Sequence, residues 1–251
     1  IVLVLADRFE CLSIAMAATY LNITVAHLEG GERTGSIDES VRHAITKLAH
    51  IHFPASIDAA KRIARLGEDS NNIFHVGSSS LDALNALDLS DLSVLSEYKK
   101  QHGVGSLSQL AKRNYLLVIF HPVTTEYYSN YEYVNQCIEA IKAISMPTIW
   151  IWPNMDAGSD GISKAIREFR ESGKAKNVYF FKSIPIEIFG AVLSNAGCVV
   201  GNSSCGIRES AFLGTPSVNI GNRQQGRHRA DNVVNVGHSR SKIIEAVKSQ
   251  I

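Results

Sequence analysis

Short apolar runs alternate along the chain with longer stretches whose apolar positions recur at helical spacing, the signature of βα units feeding a parallel sheet. The pattern predicts strands over residues 1–6, 24–28, 52–55 and 73–76, and helices over 11–21, 40–49, 56–66 and 80–86. A polar stretch over 88–113, weakly periodic and with glycines at 103 and 105, reads as a domain connection that holds one helix. A second alternating series follows. Its strands are predicted over 115–120, 148–152, 178–181, 198–201 and 217–220, and its helices over 132–144, 161–171, 184–194, 204–213 and 239–251. Two α/β halves result, residues 1–90 and 91–251. Ile1 opens directly on a buried-strand run, with no Met, cap or basic leader, so the chain is expected to start inside a domain.

Composition narrows the function. The 251 residues are 45% hydrophobic and 20% charged, and 25 Lys+Arg against 24 Asp+Glu leave a net charge of +1. No broad field draws such a chain to nucleic acid or to an anionic membrane. Its longest apolar runs, such as 115–120, fall far short of the roughly 18–20 residues that span a bilayer. Cys11, Cys137, Cys198 and Cys205 form no CxxC pair and have no His cluster at metal-ligand spacing, so they are expected as small buried hydrophobes of a reduced cytoplasmic protein that uses no metal.

Ligands of open α/β sheets bind outside the carboxyl ends of the strands, and the chemistry-bearing residues collect there. In the first half a strand runs into Asp7-Arg8-Phe9-Glu10, where Asp7 is also a plausible helix cap with Glu10 three residues on. The next strand ends in His27-Leu28-Glu29-Gly30-Gly31-Glu32, whose glycines admit a ligand or a sharp turn. Ser36-Ile37-Asp38-Glu39-Ser40 then precedes a helix, with Asp38 and Ser40 as candidate caps. Capping does not explain four acids, Asp7, Glu29, Glu32 and Asp38, on the loops of two adjacent βα units. Like charges held close raise one another's pKa, which supplies a general acid and a general base near neutrality.

The second half carries a different chemistry. Strands end in His121-Pro122-Val123-Thr124-Thr125 and in Asn154-Met155-Asp156, both polar termini. Gly201-Asn202-Ser203-Ser204-Cys205-Gly206 leads a strand into a helix, where backbone amides and hydroxyls at a positive helix end suit a phosphate; Glu209, about one and a half turns on, is read equally as an acceptor of ribose hydroxyls or as a solvated helix residue. Arg223, Arg227 and Arg229 add local positive charge on a Gly-containing loop. Neither GxxxxGK[ST] nor GxGxxG occurs, and Ser203 lacks a GxSxG frame. The picture is an acidic face on one half and a nucleotide-diphosphate face on the other.

Taken in order, these motifs, together with Val41-Arg42-His43-Ala44-Ile45-Thr46-Lys47 and residues 221–227, resemble the hydrolysing UDP-N-acetylglucosamine 2-epimerases of sialic-acid biosynthesis over nearly the whole chain. The related non-hydrolysing enzymes usually have Asp-Thr, His-Arg-Arg and Asp-Ser-Gly-Gly where this chain has Asp7-Arg8, His121-Pro122-Val123 and Asn202-Ser203-Ser204-Cys205. The resemblance implies a GT-B fold of two Rossmann-like domains with parallel sheets, the first incomplete because nothing matches the family's opening strand and Gly-rich loop. It implies elimination of UDP across C1 and C2, then hydration to N-acetylmannosamine. Carried over by position, Asp7, Glu29 and Asp38 are catalytic; Arg8, His27, His121, Asn154, Ser203, Ser204, Glu209 and Arg223 bind the nucleotide sugar. The resemblance also implies a homo-oligomer without a cofactor. A GDP-linked 2,4-diacetamido sugar of the legionaminic-acid pathway is an alternative substrate, and a GT-B glycosyltransferase or a non-catalytic nucleotide-sugar sensor is an alternative function.

Overall fold

The computed structural model describes residues 1–35, 37–106 and 110–251; Ser36 of the third loop motif and 107–109 of the expected connection lie outside the described residues. The chain divides into two compact units, Ile1–Asp82 with Gln225–Arg227, and Ala83–Gln224 with His228–Ile251. The junction falls ahead of the expected 90/91 because Leu84, Leu87 and Leu89 pack beside Gly190 of the second unit.

In the first unit the parallel strands β1 (Val2–Leu5), β2 (Val25–Leu28) and β3 (Ile51–Phe53) lie in that order, each followed by a helix: α1 (Phe9–Tyr20), α2 (Ile37–Leu48) and α3 (Ile57–Arg65). Val4, Ala15, Ala18, Val25, Ile45 and Ala49 form its core, drawn from strand faces and helix stripes as the periodicity requires. Ser56 caps α3 by accepting the Ala59 amide at 3.2 Å. The strand expected over 73–76 is reduced to one parallel bridge, His52 to Ile73. Phe74 and Val76 stay half exposed, so no apolar layer rewards a longer ladder there.

Helices α4 (Ser79–Asn85) and α5 (Val94–His102) lead into the second unit, a seven-stranded sheet in the order β10-β9-β8-β5-β6-β7-β4. Its strands are β4 (Gly103–Gly105), β5 (Leu116–Ile119), β6 (Thr148–Ile151), β7 (Val178–Phe181), β8 (Cys198–Gly201), β9 (Ser217–Ile220) and β10 (Val233–Val236). All pair in parallel except β4, which pairs antiparallel to β7; β4 and β10 are edge strands that the pattern of apolar runs did not predict. Both are short and partly exposed, so neither leaves the fully apolar run that marks a central strand.

Helices α6 (Asn130–Ile144), α7 (Ser159–Glu171), α8 (Ile186–Ser194), α9 (Glu209–Leu213) and α10 (Arg240–Gln250) complete the unit. Alternation along the central strand serves two cores. Leu116, Val118 and Phe120 pack with Val134 and Ile141 of α6, Ile166 of α7 and Ile243 of α10. Tyr115, Leu117 and Ile119 pack with Leu95 of α5 and Val192 and Leu193 of α8. Chain order reverses between β5 and β8, so the loops that leave these neighbouring strands diverge and open a crevice at their carboxyl ends. Gly201, opposite Ile119, ends β8 at φ 141°, and a Cβ there would lie 2.0 Å from the Ile119 carbonyl oxygen, so only glycine fits.

One buried imidazole holds the first unit's strand ends. His27 of β2 is fully buried; its Nε2–H donates to the Ala6 carbonyl at 2.8 Å, and its Nδ1 lies 3.2 Å from Thr46 Oγ1 of α2. Burial pulls this imidazole down to about 4, so it is neutral at pH 7. The unfolded chain binds the proton first, near the ordinary value of 6.5. The stability His27 contributes is therefore complete above about pH 6.5 and declines as pH falls toward 4. Denaturant unfolding is expected to show this decline in the protein and a shallower one in His27→Gln; parallel curves would show that the imidazole is not its source.

Candidate active site

The crevice of the second unit is organised by Asn202, the residue that follows β8. Its side chain is fully buried, Oδ1 accepting the His121 amide at 2.7 Å and Nδ2 donating to the His121 carbonyl at 2.8 Å. These reciprocal bonds tie the exits of β5 and β8 together. The Asn202 carbonyl in turn accepts Gln224 Nε2 at 3.0 Å and Arg223 Nη1 at 3.3 Å, which fastens the loop after β9 to the same point. The loop after β6 joins through His121, whose Nδ1 accepts the Asn154 amide at 3.1 Å.

That bond fixes the tautomer of His121, with the proton on Nε2. Burial, with the Arg223 guanidinium adding to it, lowers the imidazole to about 3, so His121 is a neutral donor throughout the physiological range. Asn130 braces the same turn, accepting the Val123 amide at 2.9 Å and donating to the Val123 and Tyr127 carbonyls at 3.2 and 3.3 Å. Asn154 donates to the Asp156 carboxylate. Asn154 Oδ1, Gln224 Oε1 and Thr124 Oγ1 are buried with no hydrogen-bond partner among the described residues. Buried polar atoms without partners are costly, and three on the loops that leave β5, β6 and β9 make these strand ends the candidate site for a polar ligand.

Ser203 and Ser204 follow Asn202 and are partly exposed. The helix predicted over 204–213 is instead a 3₁₀ turn, Ser204–Gly206, and the five-residue α9. Glu209 is therefore the first residue of a short helix and not one and a half turns into a long one. No long-helix dipole acts on this turn; the polar groups beside it are the two hydroxyls and Arg223, which donates to the Asn202 carbonyl. The arginines of the basic loop also separate by role. Arg229 donates to the Gln224 carbonyl and, through Nε, to Asn235 Oδ1, both at 2.8 Å, which makes it a latch for the loop that carries Arg223.

In the first unit the acids sit on donors. Asp7, just past β1, pairs with the guanidinium of Arg42, a fully buried residue of α2 that also donates to the Glu32 carbonyl at 2.8 Å. Asp7 is thus turned away from the capping role; Arg8 occupies the N-cap position of α1, with no side-chain cap bond, and reaches Glu10 at 3.2 Å. Glu29 follows β2 at φ 58°, strained for a residue with a Cβ, and its carboxylate accepts Ser78 Oγ at 2.8 Å. Glu32 accepts Ser56 Oγ at 3.2 Å. Asp38 is the second residue of α2, while its neighbour Glu39 accepts the Thr34 and Gly35 amides at 2.9 and 2.8 Å and folds the loop back on the helix. Burial raises the Glu39 carboxyl, but these amide bonds outweigh it and leave it below the ordinary value.

Asp7, Glu29 and Glu32 each have a donor of their own, where the sequence suggested acids coupled to one another. The adjacent glycines serve packing. A Cβ at Gly30 would lie 2.8 Å from His27 Nδ1, and one at Gly31, whose φ is 78°, 2.5 Å from the Ala59 carbonyl oxygen. His27, expected among the nucleotide-sugar residues, has both ring nitrogens engaged by Ala6 and Thr46.

Sequence reasoning missed Arg42, Ser78, Asn130 and the organising part of Asn202. Arg42 had a signal, a charge three residues before Ile45 on the core stripe of α2. Ser78 had none, since Ser78-Ser79-Ser80 reads as an ordinary helix start. No group of three His, Cys, Asp or Glu side chains among the described residues is arranged to hold a metal ion. Cys137, Cys198 and Cys205 are buried, and burial pushes their thiols up to about 12.

The profile of the family described as UDP-N-acetylglucosamine 2-epimerase matches residues 1–251. A UDP-N-acetylglucosamine 2-epimerase of Neisseria meningitidis serogroup B is 34% identical over 98% of this chain and 62% of its own length. The UDP-N,N'-diacetylbacillosamine 2-epimerase (hydrolyzing) of Legionella pneumophila is 36% identical over 100% of this chain and 64% of its own. The chain thus spans less than two thirds of the length of these relatives. The crystal structure of Methanocaldococcus jannaschii UDP-GlcNAc 2-epimerase in complex with UDP-GlcNAc and UDP superposes with a TM-score of 0.77 at 18% identity, covering 99% of this chain and 68% of that one, which shows a shared GT-B-like fold. On the family match and these identities, the chain belongs to the UDP-N-acetylglucosamine 2-epimerase family.

Proposed function

We propose that this chain carries the catalytic residues of a hydrolysing nucleotide-sugar 2-epimerase, which converts UDP-N-acetylglucosamine and water to N-acetylmannosamine and UDP in the cytoplasm. The observation that carries the reading is the Asn202 hub, which gathers a neutral imidazole donor, hydroxyls, an arginine and partnerless polar atoms at the switch point of a parallel sheet. The branch is argued from Asn202-Ser203-Ser204-Cys205 and His121-Pro122-Val123, which stand where the non-hydrolysing enzymes usually differ.

In this reading Ser203, Ser204, Arg223 and the His121 Nε2–H receive the diphosphate, Glu209 accepts the ribose hydroxyls, and Arg8 and Asn154 assist. A carboxylate, Glu29 or Asp38, takes the proton from C2. The C2–H electron pair becomes the C1=C2 double bond as the C1–O bond breaks, and UDP leaves with that bond's electrons. Water then adds, its hydroxyl to C1 and a proton to C2 on the opposite face, with Asp7 serving this step. Donors already aimed at the leaving diphosphate stabilise the charge as it grows, without reorganisation. No residue cluster for a metal enters the scheme.

A second reading has specific support. The Legionella relative, as similar as the Neisseria one, is named for UDP-N,N'-diacetylbacillosamine and for hydrolysis. The groups of the hub suit a diphosphate, which both nucleotide sugars carry.

Three outcomes are expected of the protein at its full natural length. It releases free N-acetylmannosamine from UDP-N-acetylglucosamine with no acceptor present; turnover only of UDP- or GDP-linked diacetamido sugars selects the second reading, and a requirement for an acceptor selects a glycosyltransferase. Glu29→Gln or Asp38→Asn abolishes solvent-deuterium exchange at C2, whereas Asp7→Asn retains exchange and slows hydration; full exchange in both of the first two variants sinks the assignment. Arg223→Ala weakens UDP binding about 10- to 100-fold by calorimetry, as loss of a charge-assisted bond to phosphate requires, and Arg223→Lys restores only part of it. Unchanged affinity in Arg223→Ala would remove that arginine from the site.

A further inference from the structure

Ser78 lies in the loop before α4, far along the chain from Glu29, yet the two side chains meet in the interior of the first unit. Its hydroxyl donates to Glu29 Oε1 at 2.8 Å and lies 3.0 Å from Ser80 Oγ. Glu29 and Ser78 are 6% and 8% exposed, so the bond is shielded from competing water. A serine hydroxyl has one proton. With that proton on Glu29, the Ser78–Ser80 contact has Ser80 as its donor, and the two hydroxyls form a chain that ends on the carboxylate.

A glutamate side chain turns about three torsions, which for a base is too much freedom. Glu29 has a backbone fixed in the left-handed region at φ 58° and a carboxylate oxygen fixed by Ser78. We propose that Ser78 is a positioning residue for the C2 proton transfer, its hydroxyl holding the Glu29 carboxylate in the one orientation from which it takes the proton, with Ser80 orienting that hydroxyl. The inference rests on the reading of Glu29 as the base. Within it, the loop before α4 belongs to the catalytic apparatus through the bond that Ser78 makes to Glu29.

The test uses the full-length protein with UDP-N-acetylglucosamine, measuring kcat, KM and C2 exchange for Ser78→Ala, Ser78→Thr and Glu29→Gln, with UDP affinity and thermal unfolding as controls on the fold. Ser78→Ala is expected to lower kcat about 10- to 100-fold, the scale of a lost hydrogen bond to a buried charge, while KM changes less than about 3-fold. Ser78→Thr, which keeps the hydroxyl, returns kcat to within about 3-fold of the parent. A kcat in Ser78→Ala within about 3-fold of the parent, a loss expressed in KM, or a threonine variant as impaired as the alanine one overturns the proposal. Where Ser78→Ala is too unstable to assay, Ser80→Ala decides: a kcat lowered about 2- to 5-fold at unchanged KM supports the chain of hydroxyls, and an unchanged kcat overturns it. Glu29→Gln separates the two levels. If it keeps C2 exchange, Glu29 is not the base and the role of Ser78 falls with it; if it loses exchange while Ser78→Ala behaves as the parent, only the role of Ser78 falls.

Discussion

The second unit depends on one buried amide. Asn202 makes with the backbone of His121 the pair of bonds that another strand would make, and so continues the β5–β8 ladder past the point where the strands diverge. A parallel sheet opens at its switch point because the connections on either side leave in opposite directions. Without a brace, the crevice would have loose walls and unsatisfied backbone groups. Asn202 supplies the brace with its side chain and, with its carbonyl, the anchor for Arg223 and Gln224. The alignment of His121, Asn154, Arg223 and the two serines follows from that residue. In the proposed reaction, groups held in this way would meet the leaving diphosphate without reorganisation.

The first unit uses strain in place of a ladder. Ala6 and Glu29 leave their strands with the same φ, 58°, a conformation that costs a residue with a Cβ about 1–3 kcal/mol. Buried hydrogen bonds offset that cost. His27 holds Ala6, the amide of Glu29 donates to the Phe53 carbonyl at 2.9 Å, and Ser78 holds the Glu29 side chain. Asp7, the residue after Ala6, is turned toward Arg42. Both acids are thus held by neighbours that are themselves buried.

Much of this was legible in the chain. Apolar runs located the central strands of the large sheet because β5, β7, β8 and β9 are buried on both faces and so read as unbroken hydrophobic segments. The edge strands β4 and β10 were not legible, since their pairing is stabilised by a neighbour and not by their own apolarity. The candidate residues themselves were legible as polar termini of apolar runs. Their division of labour was not. His27 donates to the Ala6 carbonyl, Arg229 holds the loop that carries Arg223, and Ser78, which the pattern did not single out, holds an acid.

By itself, then, the sequence determined the α/β class, the positions of the buried strands and the inventory of polar groups at their ends, because burial and periodicity are local properties written residue by residue. Only the tertiary structure decided which of those groups are engaged with one another. Hydrogen bonds such as Ser78 to Glu29, Arg42 to Asp7 and Asn202 to His121 join residues far apart in the chain, and their formation depends on register, strand order and the few ångströms between loops. No local pattern encodes those distances; packing of the whole sheet sets them.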